Sequence, residues 1–265
     1  MKVKTIKKVL DKKFQDWLQS ITDPVVRDLA ARNSLISGGC IASMLLREKV
    51  NDYDIYFTNK ETVLAIARYY AAQSNVQATV VDVDNLSDYP KDGELSREYA
   101  KEHGIFGAGR VAIYCEANKQ DQADDTDDLE MAEALGTVQK IDDPLNEEKY
   151  RLQFISPNAI SLSNKVQLII RFYGTPEEIH ANFDFVHAVN YWVAKNDKGQ
   201  SELVLNQKSL ESILSRQMIY VGSKYPLASV LRTKKFLLRG WTIDAGQYLK
   251  MLLQCNDLNL LVWVV

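Results

Sequence analysis

The chain has 265 residues, 46% of them hydrophobic, enough apolar material for one large domain or two modest ones. A formal charge of −3 and a pI near 5.7 argue against a globally basic nucleic-acid binder, while a local basic patch stays compatible with them. No stretch has the roughly eighteen consecutive apolar residues of a membrane span, and MKVKTIKKVLDKK at the start is too charged for a signal sequence.

Residues 4–21 carry Ile6, Val9, Leu10, Phe14, Trp17 and Leu18 on one stripe, which predicts an amphipathic packing helix. Asp23-Pro24, a cap followed by proline at the first helical position, predicts a second helix through residue 31. Next comes SGGCIASMLLREKVNDYDIYF, residues 37–57. Gly38 and Gly39 close the apolar run of Leu35 and Ile36 and open a helix whose Ile41, Met44 and Leu45 fall at i, i+3 and i+4. A helix N-terminus offers free N–H groups and the positive end of its dipole, and glycine lets a phosphate come close to the backbone. In the strand that follows, Asp52 and Asp54 alternate with Tyr53 and Ile55. Side chains two apart on a strand share a face, so both carboxylates project into one space, and two oxygen ligands at that spacing suit a hard cation such as Mg²⁺ or Mn²⁺.

Two glycines, twelve intervening residues and Asp-x-Asp, in the order strand, helix, strand, resemble the signature of the DNA polymerase β nucleotidyltransferase superfamily. The resemblance implies an α+β fold, a mixed-sheet core flanked by helices. It also implies that Ser37, Gly38 and Gly39 meet the triphosphate of an incoming nucleotide and that Asp52 and Asp54 hold the metals of a two-metal transfer. Read this way, the chain is a metal-dependent nucleotidyltransferase with an NTP as donor. The acceptor, whether an RNA end, a protein or a small molecule, is left open. A catalytically inactive member of the same fold, serving as a binding or structural partner, is the alternative.

Farther along, Thr58 or Asn59 caps a helix over 61–73, and 76–83 reads as a β-branched strand. A second Asp-x-Asp, Asp82 and Asp84, lacks a preceding glycine pair and reads as a strand end with turn-forming carboxylates. Residues 85–150 hold DQADDTDDLE and IDDPLNEEK and read as an acidic insertion around a strand at 110–117, with Gly104, Gly107 and Gly109 in a turn. Residues 151–155 and 166–172 are the next expected strands, the latter with Lys165 and Arg171 facing either nucleotide or solvent.

Thr175-Pro176-Glu177-Glu178 starts a capped helix, and 183–193 reads as an apolar strand interrupted by Asp184 between Phe183 and Phe185. A carboxylate in such a setting needs a partner. The resemblance makes Asp184 the third metal carboxylate, on a strand beside Asp52 and Asp54. DFVHAVN, residues 184–190, is similar to a motif of the tRNA CCA-adding and poly(A) polymerase branch, in which the asparagine meets the sugar, although Asn182 and Phe183 stand where that branch has two arginines.

After a helix at 207–215, the segment from Pro226 through Gly240-Trp241 resembles the helical neck of those polymerases, with Gly240 ending one helix and Thr242 or Asp244 starting the next. Arg232 and Lys235 are the nucleotide-binding candidates there, beside Lys234 and Arg239. The domain reading is a catalytic domain over 1–200 and a helical domain over 201–265. Cys40, Cys115 and Cys255 lie far apart and fit free thiols in the cytoplasm of a bacterial or phage-infected cell. His103, His180 and His187 are scattered and read as surface or packing residues.

Overall fold

The computed structural model describes residues 1–74, 78–82, 111–115, 139–140, 149–156, 158–195, 198–223 and 226–256. Most of the acidic insertion, the glycines at 104, 107 and 109, Asp84 and the apolar C-terminal residues 257–265 lie outside the described residues.

Two helices open the chain, α1 (Val3–Ser20) and α2 (Pro24–Arg32). The Asp23 carboxylate accepts hydrogen bonds from the Val25 and Val26 N–H groups, as the Asp-Pro start predicts. β1 (Ser34–Ser37), α3 (Gly39–Leu46) and β2 (Tyr53–Phe57) follow, and then α4 (Lys60–Gln73), capped by Asn59. β3 (Ala78–Asp82) and β4 (Val111–Cys115) form a separate antiparallel pair. β5 (Gln139–Lys140), β6 (Leu152–Ile155), β7 (Ala159–Leu162) and β8 (Val166–Tyr173) are followed by α5 (Pro176–His180), whose Thr175 and Glu178 form a complete capping box. β9 (Tyr191–Val193), β10 (Glu202–Val204), α6 (Gln207–Ser215), α7 (Pro226–Leu238) and α8 (Ala245–Asn256) complete the order.

The main sheet runs β10-β9-β1-β2-β8-β7-β6-β5. Its pairings are antiparallel except at the centre, where β2 lies parallel to β8, so the fold is α+β with a mixed sheet as expected. One face carries the large core. Ile36 of β1, Ile55 of β2, Leu168 and Ile170 of β8 and Trp192 of β9 pack there with Leu10, Phe14 and Trp17 of α1 and Ile66 of α4. Each buried side chain of this size contributes about 1.5–3 kcal/mol, which pins α1 and α4 to the sheet. C-terminal helices join a second cluster around Phe185, Ile213, Met218, Trp241 and Met251.

Residues 183–193 are not one strand. Only Tyr191–Val193 is extended, preceded by a 3₁₀ turn at Val186–Ala188. Val186 N–H donates to the Ile219 carbonyl and Val221 N–H to the Asp184 carbonyl, so the first half pairs locally with residues 219–221 instead of entering the sheet. Its apolar density serves two separate clusters, Phe183 packing beside Leu35, Tyr56 and Ile179, and Phe185 beside Met218 and Tyr220. Strands β5, β7 and β10, absent from the sequence expectation, are short and take their extended shape from ladder partners on their neighbours.

Candidate functional site

The second face of the sheet, away from the large core, is where the expected residues meet. Asp54 lies opposite Ser37 of antiparallel β1 and Gln167 of parallel β8, with Ile55 and Leu168 turned into the core behind them. A cleft of about 320 Å³ opens over this face. Its lining includes Gly38, Gly39, Asp52 and Asp54 from the start of α3 and from β2 with the residue before it, Asp184 from the bend after α5, and Arg232, Lys235 and Arg239 from α7 and the residue after it.

Gly38 holds φ +88° and ψ −158°, a conformation close to glycine-only, and its N–H donates to the Ala188 carbonyl at 3.1 Å. A Cβ there would sit 2.7 Å from Asp54 Oδ2. The glycine is therefore required by both backbone shape and the carboxylate packed against it. Gly39 opens α3 with nothing within 4 Å of an added Cβ, and no side chain caps that helix. The start of α3 thus faces the cleft.

Asp52 is exposed just ahead of β2, and Asp54 is partly buried within it. Burial, reinforced by the negative charge of Asp52, pushes the Asp54 carboxyl up to about 7, while Lys235 draws it back down. Among the described residues no three His, Cys, Asp or Glu side chains form a group that could hold a metal. Asp184 is 8% exposed and is held by Arg232, whose Nη1 donates to Asp184 Oδ2 at 2.6 Å. The expected gathering of Asp52, Asp54 and Asp184 into one metal triad is not assembled; the third acid is an ion-pair partner of the basic helix α7. Its position on a bend rather than on a strand directs it across the cleft.

Ser37 does not reach the cleft. Fully buried, its hydroxyl donates to the Asn190 carbonyl at 2.9 Å and shares a 2.8 Å hydrogen bond with His180 Nε2. Asn190 is likewise structural, its amide donating to Ser209 Oγ and accepting from the Asn206 N–H, each at 2.8 Å. Lys165 turns away as well and donates to the Val50 carbonyl.

Of the basic candidates, Arg232 and Lys235 line the cleft, whereas Lys234 is exposed outside it. Arg239 donates to Ser43 Oγ at 3.1 Å and pairs with Glu48 at 2.6 Å; Arg216 pairs with the same carboxylate at 2.7 Å. Burial pushes the Glu48 carboxyl up, but hydrogen bonds from Arg239 and Arg216 outweigh that and hold it below the usual range. Through Glu48 and Ser43 the C-terminal helices grip α3.

Gln167 escapes the sequence reading as a site residue, while Arg171, expected to face either nucleotide or solvent, lines the cleft, as does His187. Gln167 and Arg171, four apart on β8, are the polar positions of an otherwise apolar strand, and that pattern was the available signal. Arg171 is 1% exposed, its guanidinium 4.9 Å from the Phe172 ring centre. His187 packs among Phe185, Phe236 and Trp241, with Nδ1 buried and making no hydrogen bond; burial, and then the Arg239 charge, push its pKa down to about 3. It is a packing histidine.

No match among curated proteins is significant. Two solved structures are similar to the chain. The Thermotoga maritima CCA-adding enzyme complexed with tRNA(CCA) is 12% identical with TM-score 0.42, over 91% of this chain and 44% of that one. The Bacillus stearothermophilus CCA-adding enzyme in complex with CTP is 12% identical with TM-score 0.38, over 88% and 41%. The chain spans less than half the length of either. Family membership comes from the sequence: residues 8–216 match the model described as Gabija anti-defense 2 family protein, and the chain belongs to that family.

Proposed function

We propose that the chain is a metal-dependent nucleotidyltransferase that moves a nucleoside monophosphate from an NTP to a hydroxyl, and that it does so in opposing the Gabija defence its family is named for. One observation carries this reading. The backbone of Gly38 is pressed against Asp54, so that the start of α3 and the Asp52–Asp54 pair form one corner of a cleft that Arg232 and Lys235 also line. A phosphate recognition element, two hard oxygen donors and two cations share a single opening.

The donor set fits a divalent ion. Asp52 and Asp54 are close enough for the Asp52 charge to raise the Asp54 pKa, and their carboxylates would hold Mg²⁺ or Mn²⁺ through the oxygen ligands such ions prefer. When bound, the ion would neutralise phosphate charge and lower the pKa of an acceptor hydroxyl. The N-terminus of α3 receives the phosphates through backbone N–H groups. Lys235 and Arg232 offset the charge on the opposite side, and Asp184 orients the Arg232 guanidinium through their ion pair. Positioning and electrostatics carry the rate.

A second reading, a family member that binds nucleotide without transferring it, is favoured by the engagement of Asp184 with Arg232, which leaves two acids at the corner rather than three. Radiolabelled ATP, CTP, GTP and UTP, incubated with Mg²⁺ or Mn²⁺ and with RNA, protein and metabolite fractions of Gabija-expressing cells, separate the two. Transfer that disappears in Asp52→Asn and Asp54→Asn supports the enzyme. Metal-dependent thermal stabilisation by one triphosphate without transfer supports the binder, and the absence of both sinks the site.

A further inference from the structure

We infer that the amide oxygen of Gln167 is the third protein ligand of the divalent ion at Asp52 and Asp54, an inference that rests on the metal reading above. In the parallel pairing of β2 with β8, Gln167 is the register partner of Asp54. Adjacent strands lie about 4.8 Å apart and register partners share a face, so the Gln167 side chain stands beside the Asp54 carboxylate. Both line the cleft. Among the described residues the Gln167 amide makes no hydrogen bond. It is polar, only partly buried, and set in a strand whose flanking residues Val166 and Leu168 are buried in the core.

The competing acid is committed elsewhere. Asp184 Oδ2 takes the Arg232 guanidinium at 2.6 Å, and no third His, Cys, Asp or Glu joins Asp52 and Asp54 among the described residues. A further protein ligand at this corner is therefore a neutral oxygen. An amide carbonyl is an ordinary donor to Mg²⁺ and Mn²⁺. It also keeps the protein's ligand charge at that of two carboxylates, so one divalent ion balances the site where a third acid would add to the repulsion already present between Asp52 and Asp54.

The test is Mn²⁺ binding to the full chain, read from the loss of the free-ion EPR signal, with thermal melting to confirm that each variant is folded. Gln167→Leu, close in volume and without the oxygen, is expected to weaken Mn²⁺ binding by roughly tenfold, the lower end of the loss seen for groups that only support metal ligands. Gln167→Glu is expected to tighten it, and Asp184→Asn to leave it unchanged. Wild-type affinity in Gln167→Leu, or weakened affinity in Asp184→Asn, would overturn the assignment. Asp54→Asn distinguishes that failure from a larger one. If it loses Mn²⁺ while Gln167→Leu does not, only the role of Gln167 falls; if it too binds Mn²⁺ like the wild type, the metal corner itself is wrong.

Discussion

Replacing Gly38 with alanine separates the architecture of the corner from its chemistry. Gly38 sits at φ +88° and ψ −158°, where a residue with a side chain pays about 1–3 kcal/mol in backbone strain. The new methyl would also lie 2.7 Å from Asp54 Oδ2. Asp54 has little freedom to retreat, because its strand is laddered on both sides, to Ser37 and to Gln167. Together these place the loss near the upper end, about 3 kcal/mol, or a drop of roughly 6–12 °C in Tm at the 2–4 °C per kcal/mol usual for chains somewhat shorter than this one. Gly39→Ala is the matched control. Its Cβ meets nothing within 4 Å and its φ is not positive, so it should melt with the wild type while its methyl stands over the start of α3 and reduces stabilisation by a triphosphate. Differential scanning fluorimetry with and without nucleotide and Mg²⁺ reads both effects. If Gly38→Ala melts with the wild type, the close approach to Asp54 is not a constraint and the reasoning fails.

Acidification should destabilise the fold through two histidines. Burial lowers the His180 pKa to about 4, and burial with the Arg239 charge lowers that of His187 to about 3, against an unfolded value near 6.5. The unfolded chain then binds more protons, so stability is full above 6.5 and is lost as pH falls toward those values, by up to about 2 kcal/mol per histidine at pH 5. His187→Phe, which keeps the aromatic packing, should flatten the pH dependence of Tm between pH 4 and 7; an unchanged slope contradicts this. Asp54 runs the other way, because its carboxyl is raised to about 7 and the native state holds the extra proton between 3.8 and 7. In EDTA, Asp54→Asn should therefore gain up to about 4 kcal/mol over the wild type at pH 8 and little at pH 4; equal melting at both pH values refutes the shift. Glu48→Ala removes the shared partner of Arg216 and Arg239 and should cost about 2 kcal/mol, with faster amide exchange in α7 and α8 than in α1 as the reading that identifies the grip; uniform exchange sinks it.

The glycine corner was legible in the sequence because local rules decide it. A positive-φ position, a helix start and a two-residue strand alternation are all specified within residues 37–57, and Tyr53 and Ile55 do turn into the core while Asp54 faces the cleft. Capping was equally readable at Asp23, Asn59 and Thr175. What failed was tertiary. FDFVHAVN has strand composition, yet Phe183 and Phe185 serve different clusters and the chain must bend between them. That bend sends the Asp184 carboxylate to a helix 48 residues away, a partnership that residue spacing cannot announce. Ser37 shows the same limit, since its neighbours in sequence suggest a phosphate contact, whereas its hydroxyl is claimed by His180 at the end of α5 and by Asn190 just ahead of β9, the strand that pairs with β1.

The division of the cleft follows from how it is assembled. Its acidic side comes from the sheet and the loop before β2, within residues 8–216, whereas Arg232, Lys235 and Arg239 belong to α7 and the residue following it, beyond that match. Asp184 holds Arg232, and Glu48 holds Arg239 together with Arg216. Lys235 remains near enough to Asp54 to lower its pKa, and Asp52 stays exposed at the mouth. A polyanion accompanied by a divalent cation matches both sides at once, the anion toward Lys235 and Arg232 and the cation toward Asp52 and Asp54. An anion alone would meet the two aspartates uncompensated, and a cation alone would meet the basic helix. Ligand and metal should therefore bind with positive coupling, each strengthening the other by the same factor.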